Sequence, residues 1–268
     1  MSPTPIQRRN GNAPNNLSVG ADGAVATVTI DAPEKLNAMG RTFWPELRDA
    51  LAVLEADATT RAVVITGAGE KAFSSGGDIA GFADLDGAGA KREFQRDCMR
   101  TFAAVEESPL PVIAAVNGYA MGGGCELALA CDVVVAADTA VFGMPESAVG
   151  LVPGFGVLRA PSVIGRAWTK LMMFGGERVD APTALRIGLA QKVVPAAELA
   201  DTAHAMAERM AAAAPLAVAT GKSLVNRGVD RGEFDHSTAA LTALHGTEDA
   251  AEGIAAFVEK RAPRFRGR

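Results

Sequence analysis

The sequence is poor in the residue types that most quickly assign a function. It holds three cysteines, Cys98, Cys125 and Cys131, an odd number with two of them in an apolar stretch where free thiols pack as small hydrophobes. That argues against a disulfide scaffold and for a reducing compartment, the cytoplasm. The three histidines, His204, His236 and His245, lack metal-ligand spacing and read as surface or interface residues, so no metal is expected. No G-x-S-x-G elbow occurs, which leaves little from which to build a serine hydrolase. No run of eighteen apolar residues occurs, so no helix is long enough to span a bilayer. Residues 1–16, MSPTPIQRRNGNAPNN, carry no apolar stretch behind Arg8 and Arg9 and read as a disordered arm, not a secretory signal. Nor is there a basic excess: 26 Lys and Arg against 31 Asp and Glu leave a net charge of −5, which offers nothing to nucleic acid or an anionic membrane.

What is present is an ordinary globular composition, 49% hydrophobic over 268 residues, enough to bury roughly 70–75% of the unfolded surface. LSVGADGAVATVTI, from Leu17 to Ile30, alternates on either side of Ala21-Asp22-Gly23 and predicts a hairpin. From Arg41 to Asp57, Phe43, Leu47, Leu51 and Leu54 recur at helical intervals, with Pro45 tolerated in the first turn. RAVVITG predicts a buried strand, followed by helix over Glu93–Glu107, strand over Pro111–Asn117, helix after the glycine triplet, and strand over Asp132–Ala137. From Ala196 the chain is Ala-rich and helical in pattern. The expected organisation is an arm (1–16), an α/β core (17–195) and a helical C-terminal region (196–268).

Two phosphate-binding patterns fail on context. Gly67-Ala-Gly69-Glu-Lys-Ala72 follows a strand as a dinucleotide fingerprint should, yet Gly76 and Gly77 would break the required helix. Gly221-Lys222-Ser223 ends like a P-loop but has Leu216 where the first glycine belongs, and reads as helix interior.

Two glycine clusters remain. KAFSSGGDI (71–79) ends a strand with two adjacent glycines, and NGYAMGGGCELALACD (117–132) runs from a strand through three glycines into a helix. Two inward N–H groups from separate loops are what an oxyanion hole needs. Glu126 stands in the first turn of the otherwise apolar helix, and Glu146 occurs twenty residues on in VFGMPESAVGLVPGFG. A tight turn and a helix-capping glutamate would account for each feature singly.

With VATVTIDAPEKLNAM and EGIAAFVEKRAPRFRGR added, five blocks stand in the order found in the enoyl-CoA hydratase/isomerase family, the crotonases, which the chain resembles from about residue 17 onward. The resemblance implies a spiral of ββα units with a helical C-terminal trimerisation region, assembled as a homotrimer or hexamer. It implies a coenzyme A thioester substrate, such as an acyl-CoA, with no separate cofactor because coenzyme A belongs to the substrate. By the same resemblance Gly77 and Gly123 are the oxyanion donors. Glu126 and Glu146 are the catalytic pair of a hydratase acting on a trans-2-enoyl-CoA, Glu126 taking a proton from water and Glu146 delivering one to C2. Lys35, Leu36, Phe257 and Lys260 are expected at the nucleotide end, the last two from a neighbouring subunit, and Ile79, Phe82 and Leu85 along the acyl pocket. The chain departs from the family pattern at PGFGVLRAP (153–161), one residue short with Val157 in place of a usual glycine, which alters the pocket wall. Another reaction of the family, such as double-bond isomerisation, a nicotinamide-dependent dehydrogenase and a non-catalytic scaffold are the alternatives.

Overall fold

The computed structural model describes residues 16–79, 85–226 and 231–264. The expected arm, apart from Asn16, lies outside these residues, as does Phe82. The hairpin forms as its alternation predicts: β1 (Leu17–Asp22) pairs antiparallel with β2 (Val25–Ile30) through a turn at Gly23, whose φ of +58° suits glycine. Helix α1 (Phe43–Ala56) buries Phe43, Leu47, Leu51 and Leu54, and Trp44 with them.

A long strand, a short strand and then helix follow three times. The first unit is β3 (Ala62–Gly67), β4 (Ala72–Ser74) and α2 (Gly87–Glu107); the second is β5 (Val112–Val116), β6 (Tyr119–Met121) and α3 (Gly123–Ala130). The third is β7 (Val133–Ala137), β8 (Val141–Gly143), a 3₁₀ turn at Glu146–Val149, α4 (Gly156–Val163) and α5 (Gly165–Phe174). After β9 (Val179–Asp180), α6 (Ala181–Ile187) and β10 (Lys192–Val194) come α7 (Leu199–Ala211), α8 (Pro215–Val225), α9 (Arg231–His245) and α10 (Glu248–Val258). Helix α2 starts at Gly87, earlier than the expected Glu93, because its first turn is small and polar and carries no apolar period.

The long strands form one sheet in the order β1-β2-β3-β5-β7-β10, parallel from β2 onward, and the short strands form a second in the order β4-β6-β8-β9. Strands buried on both faces suit a parallel sheet, and β3 and β5 are apolar in nearly every position. Alternation divides them between two layers. Val63 and Ile65 face the main core with α1, α2 and α3, while Ala62 and Val64 face Leu199, Ala203 and Ala207 of α7. Those three residues recur every fourth position, and two of them are alanines, so the helix lies close against the sheet.

Of the fingerprint glycines, Gly67 ends β3 and Gly69 lies in the turn leading to β4, and no helix opens there to receive a pyrophosphate. Lys222 lies inside α8, where its Nζ donates to the Val105 and Leu110 carbonyls and pairs with Asp132 at 2.8 Å. Among the described residues no helix is long and apolar enough to cross a membrane.

Candidate active site

Strands β4, β6 and β8 are parallel neighbours, so the segments leaving their carboxyl ends emerge side by side. Those segments are Ser75-Gly76-Gly77, the glycine triplet and Pro145-Glu146. Strand spacing of about 4.8 Å thus brings together three motifs far apart in sequence. They open onto a cavity of about 290 Å³ between α2, the 3₁₀ turn at Glu146–Val149 and the C-terminal helices.

The first segment is held by PEKLNAM. Met39 forms a parallel bridge with Gly77: its N–H donates to the Gly76 carbonyl at 2.8 Å, and its carbonyl accepts the Asp78 N–H at 3.0 Å. Because backbone groups alternate along an extended strand, the Gly77 N–H points the other way, and Gly77 lines the cavity. The turn before Met39 puts Leu36 and Asn37 at φ of +53° and +56°, unfavourable for side chains. Asn37 compensates: it is fully buried, its amide donates to the Ala68 and Ala72 carbonyls, and its Oδ1 accepts the Ala32 N–H.

The second segment turns at Gly122, whose N–H donates to the Gly143 carbonyl at 2.9 Å, and Gly123 opens α3. The first N–H groups of a helix have no acceptor within it, and the Gly123 N–H finds none elsewhere among the described residues. The two glycine loops touch. A Cβ on Gly76, which has φ of +97°, would stand 2.7 Å from the Met121 oxygen and 3.3 Å from the Gly123 nitrogen.

Glu126 and Glu146 both line this cavity. Glu126 Oε1 accepts N–H bonds from Phe155 at 2.7 Å and Gly156 at 2.8 Å. Burial pushes its carboxyl up to about 7, with the Gly156 and Phe155 N–H groups pulling the other way. The oxygens of Glu146 are shut from solvent with no hydrogen-bond partner among the described residues. Burial, reinforced by the charge of Glu126 and opposed only by its own peptide N–H, raises that carboxyl well above the usual range. Oε1 of Glu146 lies only 3.1 Å from where a Cβ on Gly122 would be.

The donors to Glu126 belong to the atypical PGFGVLRAP segment, which therefore shapes the glutamate end of the cavity as well as the pocket wall. Arg159 anchors that segment: it pairs with Glu106 and lies 5.5 Å from the Phe155 ring centre and 5.0 Å from that of Phe234.

The remaining expected contacts divide. Ile79 lines the cavity, Leu85 packs against the core, and Phe82 lies outside the described residues. Lys35 and Leu36 are not in the wall; their carbonyls accept the Ser75 hydroxyl and N–H and so hold the first glycine loop. Phe257 lines the cavity of its own chain, together with Ile254. Helix α10 carries it there by packing on the Glu146–Val149 turn. Lys260, at φ of +55°, is exposed and outside the wall, and Arg261 of the basic tail is engaged by Glu252 and Glu259. His245 corrects the sequence reading. It is buried, not superficial, and lines the cavity beside Gln95. His204 is partly exposed near Asp22 and Glu208, and the His236 side chain lies outside those described. Among the described residues no cluster of His, Cys, Asp and Glu could hold a metal ion.

The enoyl-CoA hydratase/isomerase family model matches residues 20–268. The chain is 39% identical to the short-chain-enoyl-CoA hydratase of Clostridium acetobutylicum, covering 92% of this chain and 96% of that one. It is 36% identical to the crotonyl-CoA hydratase of Syntrophomonas wolfei, with 93% and 97% covered. Among solved structures, the carnitinyl-CoA hydratase of Mycobacterium avium superposes with a TM-score of 0.84 at 36% identity, covering 96% of this chain and all of the other. Fold, motif order and sequence agree, and the chain belongs to the enoyl-CoA hydratase/isomerase family.

Proposed function

We propose that the chain is an enoyl-CoA hydratase that adds water across the double bond of a trans-2-enoyl-CoA. The observation that carries this reading is the unequal pair of buried carboxyls, Glu126 and Glu146, facing one cavity with the Gly77 and Gly123 peptides. In this reading the thioester oxygen accepts the Gly77 and Gly123 N–H groups, each contributing on the order of 3 kcal/mol as negative charge develops on it. Water lies between the carboxyls. Glu126, whose ionised form is supported by two N–H groups, takes a proton as the water oxygen bonds to C3. Glu146, whose charge burial and the Glu126 carboxylate disfavour more than its own peptide N–H favours it, keeps its proton and delivers it to C2.

Two carboxyls favour hydration over isomerisation, in which one group can both remove and return a proton. The relatives named short-chain and crotonyl-CoA hydratase support the same reaction. Coenzyme A enters as part of the substrate, so no separate cofactor is called for. We further propose a cytoplasmic enzyme and a homotrimer or hexamer; self-association is supported by Phe174, Leu216 and Val225, apolar side chains largely exposed on the single chain. Light scattering reads the assembly. The function is tested by mixing purified protein with crotonyl-CoA: loss of the conjugated enone absorbance with formation of 3-hydroxybutyryl-CoA is expected, and an unchanged spectrum would overturn the proposal.

A further inference from the structure

The cavity wall is mostly apolar beyond the glutamates, with Trp44, Phe94, Met99, Phe102 and Leu241 among its residues. Two buried polar side chains interrupt it, and the proposed hydration uses neither. Gln95 and His245 are 7% and 4% exposed, and Gln95 Nε2 lies 2.7 Å from His245 Nε2. The histidine belongs to the end of α9, where its carbonyl accepts from Lys91 Nζ at 2.9 Å. Burial, aided by the Lys91 charge, lowers its pKa to about 4, so the ring is neutral near pH 7.

The hydrogen-bonding inventory of this pair is incomplete. The amide and the ring satisfy each other through one contact, and the other end of the Gln95 amide has no protein partner among the described residues. If the amide NH₂ donates to the ring, a carbonyl oxygen is left for the cavity; if the amide is turned, the NH₂ is left. A hydroxyl, which both donates and accepts, completes either arrangement. A methylene chain completes neither and strips solvent from the amide.

The position along the wall says which part of a substrate meets this pair. On α2, Phe102 packs its ring 5.1 Å from that of Phe155, the residue whose N–H holds Glu126. Cys98 lies one turn earlier, still within reach of the Glu126 charge, and Gln95 one turn earlier again. Three residues at about 1.5 Å each put Gln95 roughly 5 Å of helix beyond the Cys98 level, on the side away from Phe102 and Phe155. We propose that Gln95 and His245 form a polar subsite in the acyl pocket that selects 2-enoyl-CoA thioesters bearing a hydroxyl group on the distal part of the chain.

The proposal rests on the hydratase reading, and the test separates the two. Hydration would be measured for crotonyl-CoA and for medium-chain 2-enoyl-CoAs matched in length, with and without a hydroxyl along the distal carbons. Wild-type protein is expected to favour the best hydroxylated member in kcat/KM by about tenfold over its unsubstituted partner. In Gln95→Leu and His245→Phe that ratio is expected to fall to about one or to invert, with the change mainly in KM. A wild-type ratio at or below one for every hydroxyl position, with crotonyl-CoA turned over, overturns the subsite and leaves the hydratase intact. No turnover of any enoyl-CoA overturns the hydratase reading. Calorimetric binding of the matched saturated thioesters then still decides the subsite, with tighter binding of the hydroxylated member upholding it and equal or weaker binding overturning it.

Discussion

Glu126 and Glu146 share one cavity on unequal terms: the N–H groups of Phe155 and Gly156 hydrogen-bond to Glu126, while Glu146 has only the weaker pull of its own peptide N–H. The difference arises from topology. Glu126 projects from the first turn of α3 toward the start of α4, whereas Glu146 follows β8 and lies against the Gly122 turn. One carboxyl is thereby suited to be ionised while its neighbour is protonated, which acid–base chemistry requires.

Glu146→Gln should stabilise the fold in alkaline but not in acidic solution. The folded chain holds the Glu146 proton more tightly than the unfolded chain, where the carboxyl has its ordinary value of 4.5. Its protonated form is favoured on folding, so stability falls as pH rises from that value through the raised folded one. Removing the carboxyl removes this loss. At about pH 8 the variant should melt at least about 2 °C higher than wild type, with little difference near pH 4. A variant less stable than wild type at the higher pH would contradict the assigned burial.

The spacing of the glycine loops predicts a graded response to alanine. A Cβ on Gly124 would come within 2.3 Å of the Ser74 carbonyl oxygen, forcing α3 away from β4, while on Gly20 it meets nothing within 4 Å. Gly124→Ala should cost about 1–3 kcal/mol or prevent folding, and Gly20→Ala well under 1 kcal/mol. Denaturant titration of both reads the difference; equal stabilities would show that the loops do not meet as described.

Much of this arrangement is legible in the sequence. The hairpin and α1 follow from periods of 2 and 3.6, and Gly77, Gly123, Glu126 and Glu146 from the motifs that carry them. The short strands β4, β6 and β8 are three residues each, too brief to show a period, although their parallel alignment is what unites those motifs. The Phe155 and Gly156 donors were hidden because every such residue carries an N–H, and only the fold aims it. Gln95 did leave a signal: it stands on the stripe of Phe94, Cys98, Met99, Phe102 and Val105, the buried face of α2. A polar residue on such a stripe calls for a partner, here His245.

An enolate-mimicking CoA ligand should bind with its thioester oxygen about 2.7–3.1 Å from both the Gly77 and Gly123 nitrogens. A crystal structure of that complex gives the distances directly. An oxygen placed beyond hydrogen-bonding reach of either nitrogen would show the oxyanion assignment to be wrong.

Truncation after Glu252 should weaken substrate binding within the same chain. It removes Ile254 and Phe257 from the cavity wall, and Gly253, which packs so closely that a Cβ there would fall 2.6 Å from Val149 Cα. Loss of this apolar wall should raise KM for acyl-CoA by about tenfold. A truncated protein with the KM of the full chain would remove α10 from the site.

The central claim, that Glu126 and Glu146 act together on one water, is tested most directly by a double-mutant cycle on crotonyl-CoA hydration. Glu126→Gln and Glu146→Gln should each lower kcat by about 10²–10⁴ with little change in CoA thioester affinity, and the double variant should lose far less than the product of the two. Losses that multiply, or either single variant retaining near-full kcat, would contradict it.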